Sequence, residues 1–496
     1  MIFLNTVAIL WAVILGGSVL YQVVKNLFLS PLSKIPGPFF AKFTTKWLTF
    51  IDLAGNRTTA LHELHRVYGT AVRIAPNEIS FSDPASIKDI YGQQTTFMKA
   101  PIYDTMSVPP FGIFSMRNRA DHSHRRRLLS HAFAQSSLFE SEPLIKDNVK
   151  ALIRRLDDQL GMPVDVMSLF RLLAFDVVGE LFLGQSFGGL ASKEPPQFLH
   201  DMDLHFMCCA IEATSPLLYA VLSRLPIPPL QHFFKSRERL VLYGQEALSS
   251  YLSQYGRESG RKDLLTKVVA LKTETGTPPL SDRETYTEIG NLVAAGTDTT
   301  SMTLTYMFWQ LAKNPSWQQQ LRRELQSHLG NEHGIIPSFN DVNQLPILNA
   351  TIHEALRLHP AAPASLPRET PKGGKVLNGY FIPQKTIVSM QCYTTHRDPD
   401  TFPDPDNFDP ARWLDPESEK MRDMFMPFSK GPRACLGKNL AMMELKLTTA
   451  TLVKDYTVKL AASCTDDSMA MTDHFLIIPK GGKCELLFSV ANRKAG

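Results

Sequence analysis

The sequence predicts a mainly α-helical protein with small β-sheets (α+β), organised as one large domain behind one N-terminal transmembrane helix. Three observations carry this prediction. Helical hydrophobic spacing dominates roughly 250 residues from Arg117 onward. Three short segments of alternating hydrophobicity, each with a turn signal near its centre, predict hairpins. An apolar run without a single charged residue fills positions 2–24.

Composition is that of an ordinary folded protein with a large core. Of 496 residues, 44% are hydrophobic and 20% are charged, and the net charge is only +4. This balance gives no reason to expect nucleic-acid binding. The 6 cysteines are irregularly spaced and include no CxxC pair. We therefore expect neither a disulfide framework nor a zinc site, and we expect the domain to face a reducing compartment.

Residues 2–24 are predicted to form a transmembrane anchor. As a helix they would rise about 33 Å, enough to cross the ~30 Å hydrocarbon core of a bilayer. The segment lacks the basic start and the cleavage site of a signal peptide. Lys25, Lys34, Lys42 and Lys46 follow it, and this asymmetry places the rest of the chain on the cytoplasmic side. The alternative is a helix buried in the core.

Prolines stiffen the segment after the apolar run. Pro31, Pro36 and Pro38 fix their own φ and restrict the residue before each of them. Residues 25–45 are therefore predicted to be a proline-rich hinge, which leaves residues 46–496 as the globular domain.

Turn residues locate the predicted hairpins. They lie at residues 71–81 around Pro76-Asn77, at 376–390 around Asn378-Gly379, and at 475–490 around Gly481-Gly482. Asn-Gly is a strong signal for a two-residue turn. We expect small sheets beside a helical core.

A long helix is predicted to begin at Ser281 and to run to Lys313. Ser281 and Glu284 form a capping-box pattern. Positions 295–300 (AGTDTT) are poor choices for a helix interior, since Gly alone costs about 1 kcal/mol relative to Ala. A helix that breaks local rules at one point usually does so for function. The alternative is a polar patch that faces solvent.

A second helix is predicted from Pro346 to just before His359. Glu354 and Arg357 lie three residues apart on it, so they share a face and can pair. Taken alone, the default interpretation of such a pair is a surface ion pair.

The sequence FSKGPRACLG at positions 428–437 forms a glycine-rich loop that leads into a helix at approximately 436–452. Cys435 then lies at a helix N-terminus, where amides and the dipole stabilise a thiolate. A thiolate is the iron ligand with which a haem protein splits O–O bonds. Gly431 and Gly437 let the backbone approach a flat ligand. A buried, inert residue is the commoner fate of an isolated cysteine, but this loop favours a ligand.

This loop resembles the ligand loop of the cytochrome P450 family, FxxGxRxCxG, at every defined position: Phe428, Gly431, Arg433, Cys435 and Gly437. Further motifs occur in the family's order, and the chain is most similar to microsomal members from filamentous fungi. The resemblance implies the cytochrome P450 fold and a haem b whose iron is bound by Cys435. It also implies a monooxygenase that uses O2 and electrons from an NADPH-cytochrome P450 reductase.

The resemblance assigns roles to two earlier motifs. It implies that Asp298 is the acid and Thr299 the alcohol of a pair that delivers protons above the haem. It joins Glu354 and Arg357 to an arginine of a PxRW-like segment, here Arg412. We assign these three residues to folding and haem retention.

Haem propionates need cationic partners. Residues 122–127 (HSHRRR) lie where the family has an aromatic-xxx-Arg element, with His122 in place of the more familiar Trp and Arg126 four residues later. The neighbouring arginines can equally be surface charges. By resemblance, Arg368 and Arg433 are further propionate partners.

The resemblance places the substrate pocket at residues 102–114, after Pro360 and at 471–476. The apolar residues there predict an apolar small-molecule substrate, hydroxylated or epoxidised in fungal secondary metabolism, although the same residues can be plain core. The expected location is the endoplasmic reticulum membrane, single-pass, with the catalytic domain in the cytoplasm.

Two other functions are compatible with a haem thiolate. A lyase or isomerase would keep Cys435 but would need no oxygen activation, and a non-catalytic haem-binding sensor would need no proton delivery. The intact pair of Asp298 and Thr299 argues against both.

Overall fold

The computed structural model describes residues 2–107, 109–192, 194–270 and 280–491, and of residues 2–9 and 12 it describes the backbone alone. The α-helices are α1 (Ile2–Val24), α2 (Lys46–Leu53), α3 (Arg57–Tyr68), α4 (Pro84–Tyr91), α5 (Arg119–Ser130), α6 (Gln135–Asp157), α7 (Val166–Leu183), α8 (Gln197–Thr214), α9 (Pro216–Leu222), α10 (Pro228–Phe234), α11 (Ser236–Tyr255), α12 (Leu264–Val269), α13 (Asp282–Lys313), α14 (Pro315–Leu329), α15 (Phe339–Val342), α16 (Pro346–Leu358), α17 (Cys392–Thr395) and α18 (Lys438–Asp455). The strands are β1 (Ala71–Ala75), β2 (Glu78–Phe81), β3 (Met98–Lys99), β4 (Pro163–Asp165), β5 (Arg368–Glu369), β6 (Lys375–Leu377), β7 (Tyr380–Ile382), β8 (Ile387–Ser389), β9 (Tyr456–Leu460), β10 (Met471–His474), β11 (Leu476–Pro479) and β12 (Glu485–Val490).

Helix α13 crosses the domain and carries the predicted capping box. Ser281 Oγ accepts a hydrogen bond from the Glu284 N–H, and the Glu284 carboxylate accepts one from the Ser281 N–H. The C-terminal half of α13 is buried on every side, and so is most of α7. Helices with apolar surface all round belong in the interior. The main core cluster joins these two helices to residues of α6, α16 and α18, which confirms the mainly helical prediction.

The sheets are small and lie beside the helical core. One sheet has the order β1-β2-β8-β5-β3, and a second has the order β4-β12-β9. The predicted hairpins at residues 71–81 and around Asn378-Gly379 are present as the antiparallel pairs β1–β2 and β6–β7. Strand β8 leaves the second hairpin and pairs with β2 and β5.

The third hairpin prediction was wrong about the position of the turn. Strand β10 pairs with β11, and the reversal is at Phe475, whose φ is 80°. Gly481 and Gly482 instead connect β11 to β12, which pairs with β4 and β9 in another sheet. The pairing of distant strands therefore decides which turn closes the hairpin.

Helix α1 covers the predicted anchor. Its described side chains include Leu10, Trp11 and Leu15, all of which are exposed, whereas the side chains of residues 2–9 and 12 lie outside the described residues. Among the residues that the structure describes, we find no helix that combines the length and the apolarity needed to cross a bilayer.

The segment after α1 packs on the domain from Leu32 onward. Leu32 and Ile35 are buried against the sheet that contains β1 and β2. The Arg73 N–H donates to the Pro36 carbonyl at 2.7 Å. The second part of the predicted hinge is thus held by the folded body.

Glu354 on α16 is the centre of a buried ion-pair group. Its carboxylate accepts hydrogen bonds from Arg357 Nε (2.8 Å) and Nη2 (2.9 Å), from Arg412 Nε (3.0 Å) and from Trp413 Nε1 (2.8 Å). Glu354 and Arg357 are fully buried. The predicted pairing of the three charged residues is present. The indole N–H of Trp413 also binds Glu354, and sequence analysis did not predict this contact.

Candidate active site

A cavity of about 1680 Å³ lies between α5, α7, α13 and the loop before α18. The predicted site residues on its wall are His122, Arg126, Asp298, Thr299, Arg368, Phe428, Arg433, Cys435 and Gly437. Ligand pockets are commonly about 300–1,000 Å³. This cavity therefore has room for a large cofactor with a second molecule beside it.

Cys435 is held at the cavity wall by its loop. Its N–H donates to the Phe428 carbonyl at 2.9 Å, and α18 begins shortly afterwards, at Lys438. Cys435 is accessible from the cavity but is surrounded by protein on its other sides. Burial raises the pKa of the thiol, whereas the amides of Gly437 and Lys438 and the charge of Arg126 lower it. A coordinated metal deprotonates a thiol outright, so this position fits a thiolate ligand.

Gly431 makes a close backbone contact that sequence analysis did not predict. Its φ is +65°, and a Cβ atom there would collide with the carbonyl oxygen of Tyr91. The close approach is therefore to the end of α4, and Gly431 lies behind the cavity wall. Gly437, by contrast, lines the cavity.

Lys99, Arg126, Arg368 and Arg433 form a cationic cluster on the cavity wall, and His122 lies among them. Burial, with the charges of Arg368 and Arg433, holds the pKa of Lys99 well below its usual value. Burial, with the charges of Arg433 and Lys99, lowers the pKa of His122 to about 3. In the part of the chain that the structure describes, no carboxylate forms an ion pair with this cluster. Unpaired buried cations are costly, and the two carboxylates of haem b fit the need.

The arginines of the cluster already bind backbone carbonyls. Arg126 Nη1 donates to the Ala434 carbonyl at 2.7 Å, which ties α5 to the cysteine loop. Arg433 donates to the carbonyls of Met116 (2.5 Å) and Arg117 (2.8 Å). These bonds orient the guanidinium groups and leave their charges free to attract an anion.

Lys99 is a member of the cluster that sequence analysis missed. Its Nζ donates to the Phe114 carbonyl and lies 4.1 Å and 4.3 Å from the ring centroids of Tyr103 and Phe114. Cation–π contacts of this kind stabilise a desolvated ammonium. No motif or periodicity marks a lysine in a strand as short as β3, and only the tertiary fold brings it to Arg368.

Asp298 is buried on α13 and is bound by Arg171 of α7. Arg171 Nε donates to Asp298 Oδ1 at 2.7 Å, and the same guanidinium pairs with Asp203. Burial raises the pKa of the Asp298 carboxyl, and the charge of Arg171 opposes that rise. Sequence analysis missed Arg171, although an arginine in a largely apolar helix is a signal, because a buried charge needs a partner.

The unusual interior of α13 has two explanations. Thr299 lines the cavity, and its hydroxyl donates to the Ala295 carbonyl at 2.8 Å. Gly296 has a packing reason, since a Cβ atom there would lie 2.6 Å from Val178 Cγ1 of α7. Helix α7 therefore approaches α13 closely at the point where the acid and the alcohol meet the cavity.

Comparison with known proteins shows the family of the chain. A family model described as Cytochrome P450 matches residues 35–486. Cytochrome P450 monooxygenase tazI of Aspergillus terreus is 34% identical over 468 residues, which cover 93% of this chain and 94% of that protein. Cytochrome P450 monooxygenase stcB of Emericella nidulans is 33% identical over 484 residues, which cover 95% of this chain and 91% of that protein.

A solved structure described as the crystal structure of cytochrome P450DA heme domain has the same fold. Its TM-score is 0.78 at 19% identity, and the match covers 92% of this chain and 98% of that chain. Because the family model matches most of the sequence, the chain belongs to the cytochrome P450 family of haem-thiolate monooxygenases, which act on small molecules with O2 and with electrons that a reductase draws from NADPH.

Proposed function

We propose that this protein binds haem b through Cys435 and oxidises an apolar small molecule by hydroxylation or epoxidation. One observation carries the proposal. The same cavity wall holds a thiol, a cationic cluster that has no partner carboxylate among the described residues, and the pair of Asp298 and Thr299. These groups come from distant parts of the chain, and a cysteine of the structural core would need none of the others.

Cys435 would bind the iron, while Arg126, Arg368 and Arg433, with His122 and Lys99, would bind the propionates. Bound there, haem supplies the activation of oxygen, which a thiolate ligand favours. The protein supplies ligation, position and control of water. Phe428 and Gly437 line the cavity beside the thiol and would leave a flat macrocycle room to approach it.

Asp298 and Thr299 would deliver protons on the opposite side of the cofactor. The raised pKa of the Asp298 carboxyl suits a group that takes up and releases protons. Arg171 connects Asp298 to Asp203, which is half exposed. Asp298 would take up a proton from the side of Asp203 and would pass it on after the Asp298 carboxyl separates from Arg171.

The substrate would be apolar, because aromatic rings dominate one end of the cavity. The ring of Phe114 meets those of Tyr103 and Phe475 edge to face, with centroids 5.7 Å and 5.9 Å apart. All three residues line the cavity. Relatives from Aspergillus terreus and Emericella nidulans favour a fungal secondary metabolite as its class.

Helix α1 would attach the protein to the endoplasmic reticulum membrane as a single-pass anchor. Exposed Leu10, Trp11 and Leu15 need an apolar environment, and Lys25 and Lys34 would keep residues 46–496, the catalytic domain, on the cytoplasmic side. Residues 25–45 would connect the two. NADPH-cytochrome P450 reductase in the same membrane would supply the electrons.

The difference spectrum of the reduced, carbon-monoxide-treated protein tests the iron ligand. The wild type should give a strongly red-shifted Soret band, since the thiolate donates electron density to the iron. Cys435→Ala should lose this band, whereas Cys464→Ala, a buried cysteine outside the cavity wall, should keep it. A band that persists in Cys435→Ala would remove Cys435 from the proposal, and folded wild-type protein without haem would refute it entirely.

Alkaline carbonate extraction of microsomes tests the anchor. The full chain should stay in the membrane pellet, and a chain that begins at Ser30, which keeps the buried Leu32, should be released. Release of both chains would contradict a transmembrane anchor.

NADPH oxidation by the full chain with added reductase, under O2, then separates a monooxygenase from a haem lyase.

A further inference from the structure

Residues 109–117, which we call the wall segment, form part of the cavity wall before α5. Ile113 and Phe114 line the cavity directly. The Phe114 carbonyl accepts a hydrogen bond from Lys99 Nζ. The wall segment therefore presents apolar surface at the place where substrate would bind, and its position controls the shape of that space.

Glu288 of α13 holds the other side of Ile113. The Ile113 N–H donates to Glu288 Oε1 at 2.8 Å and to Oε2 at 3.2 Å. Arg125 of α5 donates through Nη1 to Glu288 Oε1 at 2.7 Å. The Glu288 side chain is fully buried, and that of Arg125 is 4% exposed. The second partner of Arg125 is Glu284, which is partly exposed.

Gly112 shows how closely the wall segment lies on α13. A Cβ atom at this position would collide with Nδ2 of Asn291 and would lie 3.3 Å from Glu288 Oε2. A side chain here would have to displace the side chain of Asn291. The wall segment therefore contacts α13 closely at Gly112, directly beside the Ile113 N–H.

A buried ion pair is a weak source of stability, since apolar residues of the same volume often stabilise a fold as well. A carboxylate differs from an apolar residue because it is a directional acceptor for one backbone N–H. Residues 288, 291, 295 and 299 are spaced by three and four along α13, so they share one face. Asn291, Ala295 and Thr299 on that face line the cavity. The hydrogen bond between Ile113 and Glu288 thus fixes the position of the wall segment along the face of α13 that carries Thr299.

We propose that Glu288 is a positioning residue that, together with Arg125, holds Ile113 and Phe114 against α13 and so sets the size and direction of the substrate space. Glu288 acts through the wall segment from behind the cavity wall. The inference rests on the proposed function, because the substrate space is defined relative to haem bound by Cys435.

Two ligands that coordinate haem iron through the same type of nitrogen provide the test. Imidazole is too small to reach the wall segment, and clotrimazole carries three aromatic rings that must pack beside it. Each is titrated by its Soret shift. Glu288→Ala should bind clotrimazole about tenfold more weakly, the loss expected when roughly 50 Å² of apolar contact is given up. Its affinity for imidazole should stay at the wild-type value.

Glu284→Ala is the matched control, because it removes the other carboxylate of Arg125 without a contact to Ile113. It should keep the wild-type affinity for both ligands. Glu288→Gln retains an oxygen that can accept the Ile113 N–H and should lie between the wild type and Glu288→Ala.

Wild-type clotrimazole affinity in Glu288→Ala would overturn the proposal, and so would an equal loss in Glu284→Ala. If Glu288→Ala does not fold, Glu288→Gln decides, since it keeps the size of the side chain and weakens both the pair with Arg125 and the acceptor of the Ile113 N–H. Unchanged clotrimazole affinity in that variant would overturn the proposal too. Failure of the proposed function looks different, because wild-type protein would then show no Soret shift with imidazole.

Discussion

Arg171 binds two carboxylates at once. Its Nε lies 2.7 Å from Asp298 Oδ1, and its terminal nitrogens bind Asp203. Asp298 lines the cavity beside Thr299, whereas the side chain of Asp203 is half exposed. One guanidinium therefore contacts a carboxylate at the cavity and a carboxylate at the surface. In the proposed proton delivery, Asp298 would have to separate from Arg171 to reach Thr299.

Replacement of the acid should slow turnover without loss of the cofactor. Asp298→Asn keeps the size of the side chain but removes the proton-carrying group, and we expect turnover to fall by about 10²–10⁴-fold. The carbon-monoxide band should be unchanged. The measurement is NADPH-dependent O2 consumption with an apolar compound that shifts the haem spectrum. Asp203→Asn should have a smaller effect, and full activity of Asp298→Asn would contradict the assignment.

Haem retention should depend on Arg126 and not on its neighbour Arg127. Arg126 reaches the Ala434 carbonyl beside Cys435 and lines the cavity, whereas Arg127 is exposed. Arg126→Ala removes both a proposed propionate partner and the hydrogen bond between α5 and the cysteine loop. We expect it to lower the ratio of haem absorbance to protein after gel filtration. Equal ratios in Arg126→Ala and Arg127→Ala would show that haem retention does not depend on Arg126.

Local signals account for what the sequence predicted correctly. The capping box of Ser281 and Glu284 and the Asn378-Gly379 turn depend on residues a few positions apart. Proline at the first turn likewise marks the start of α16 at Pro346. The cysteine loop was recognisable because its residues are contiguous in sequence.

Partners that meet only in the folded state could not be predicted in this way. Arg171 and Asp298 are separated by 127 positions. Lys99 reaches the cationic cluster through β3, which has no periodicity to read. The turn at Phe475 was missed because β12 is drawn to β9 and β4, and no local pattern records that choice.

Loss of Glu354 should destabilise the whole domain. Its removal leaves Arg357, which is fully buried, and Arg412 without their shared carboxylate. Breaking a buried pair from one side costs about 3–5 kcal/mol. Urea denaturation of Glu354→Ala should show this loss, whereas Glu419→Ala, which breaks the exposed pair with Arg422, should change stability by less than about 1 kcal/mol. Similar midpoints for the two variants would refute a structural role.

Stability should fall as the pH drops below about 6.5, in part because of His65. Its Nδ1 lies 2.9 Å from the Gly69 carbonyl and its Nε2 lies 2.8 Å from Ser80 Oγ, an arrangement that suits the neutral ring. Burial lowers the pKa of His65 from 6.5 to about 4. The unfolded chain therefore binds a proton first as pH falls, and the folded state loses stability from about pH 6.5 down to its own pKa. Each pH unit in that window costs up to about 1.4 kcal/mol for one such histidine.

The free energy of unfolding, measured in urea at pH 7.5 and pH 5.5, should thus fall less in His65→Gln than in the wild type, because the variant has no ring to protonate. Equal falls in the two proteins would show that His65 titrates alike in the folded and unfolded states.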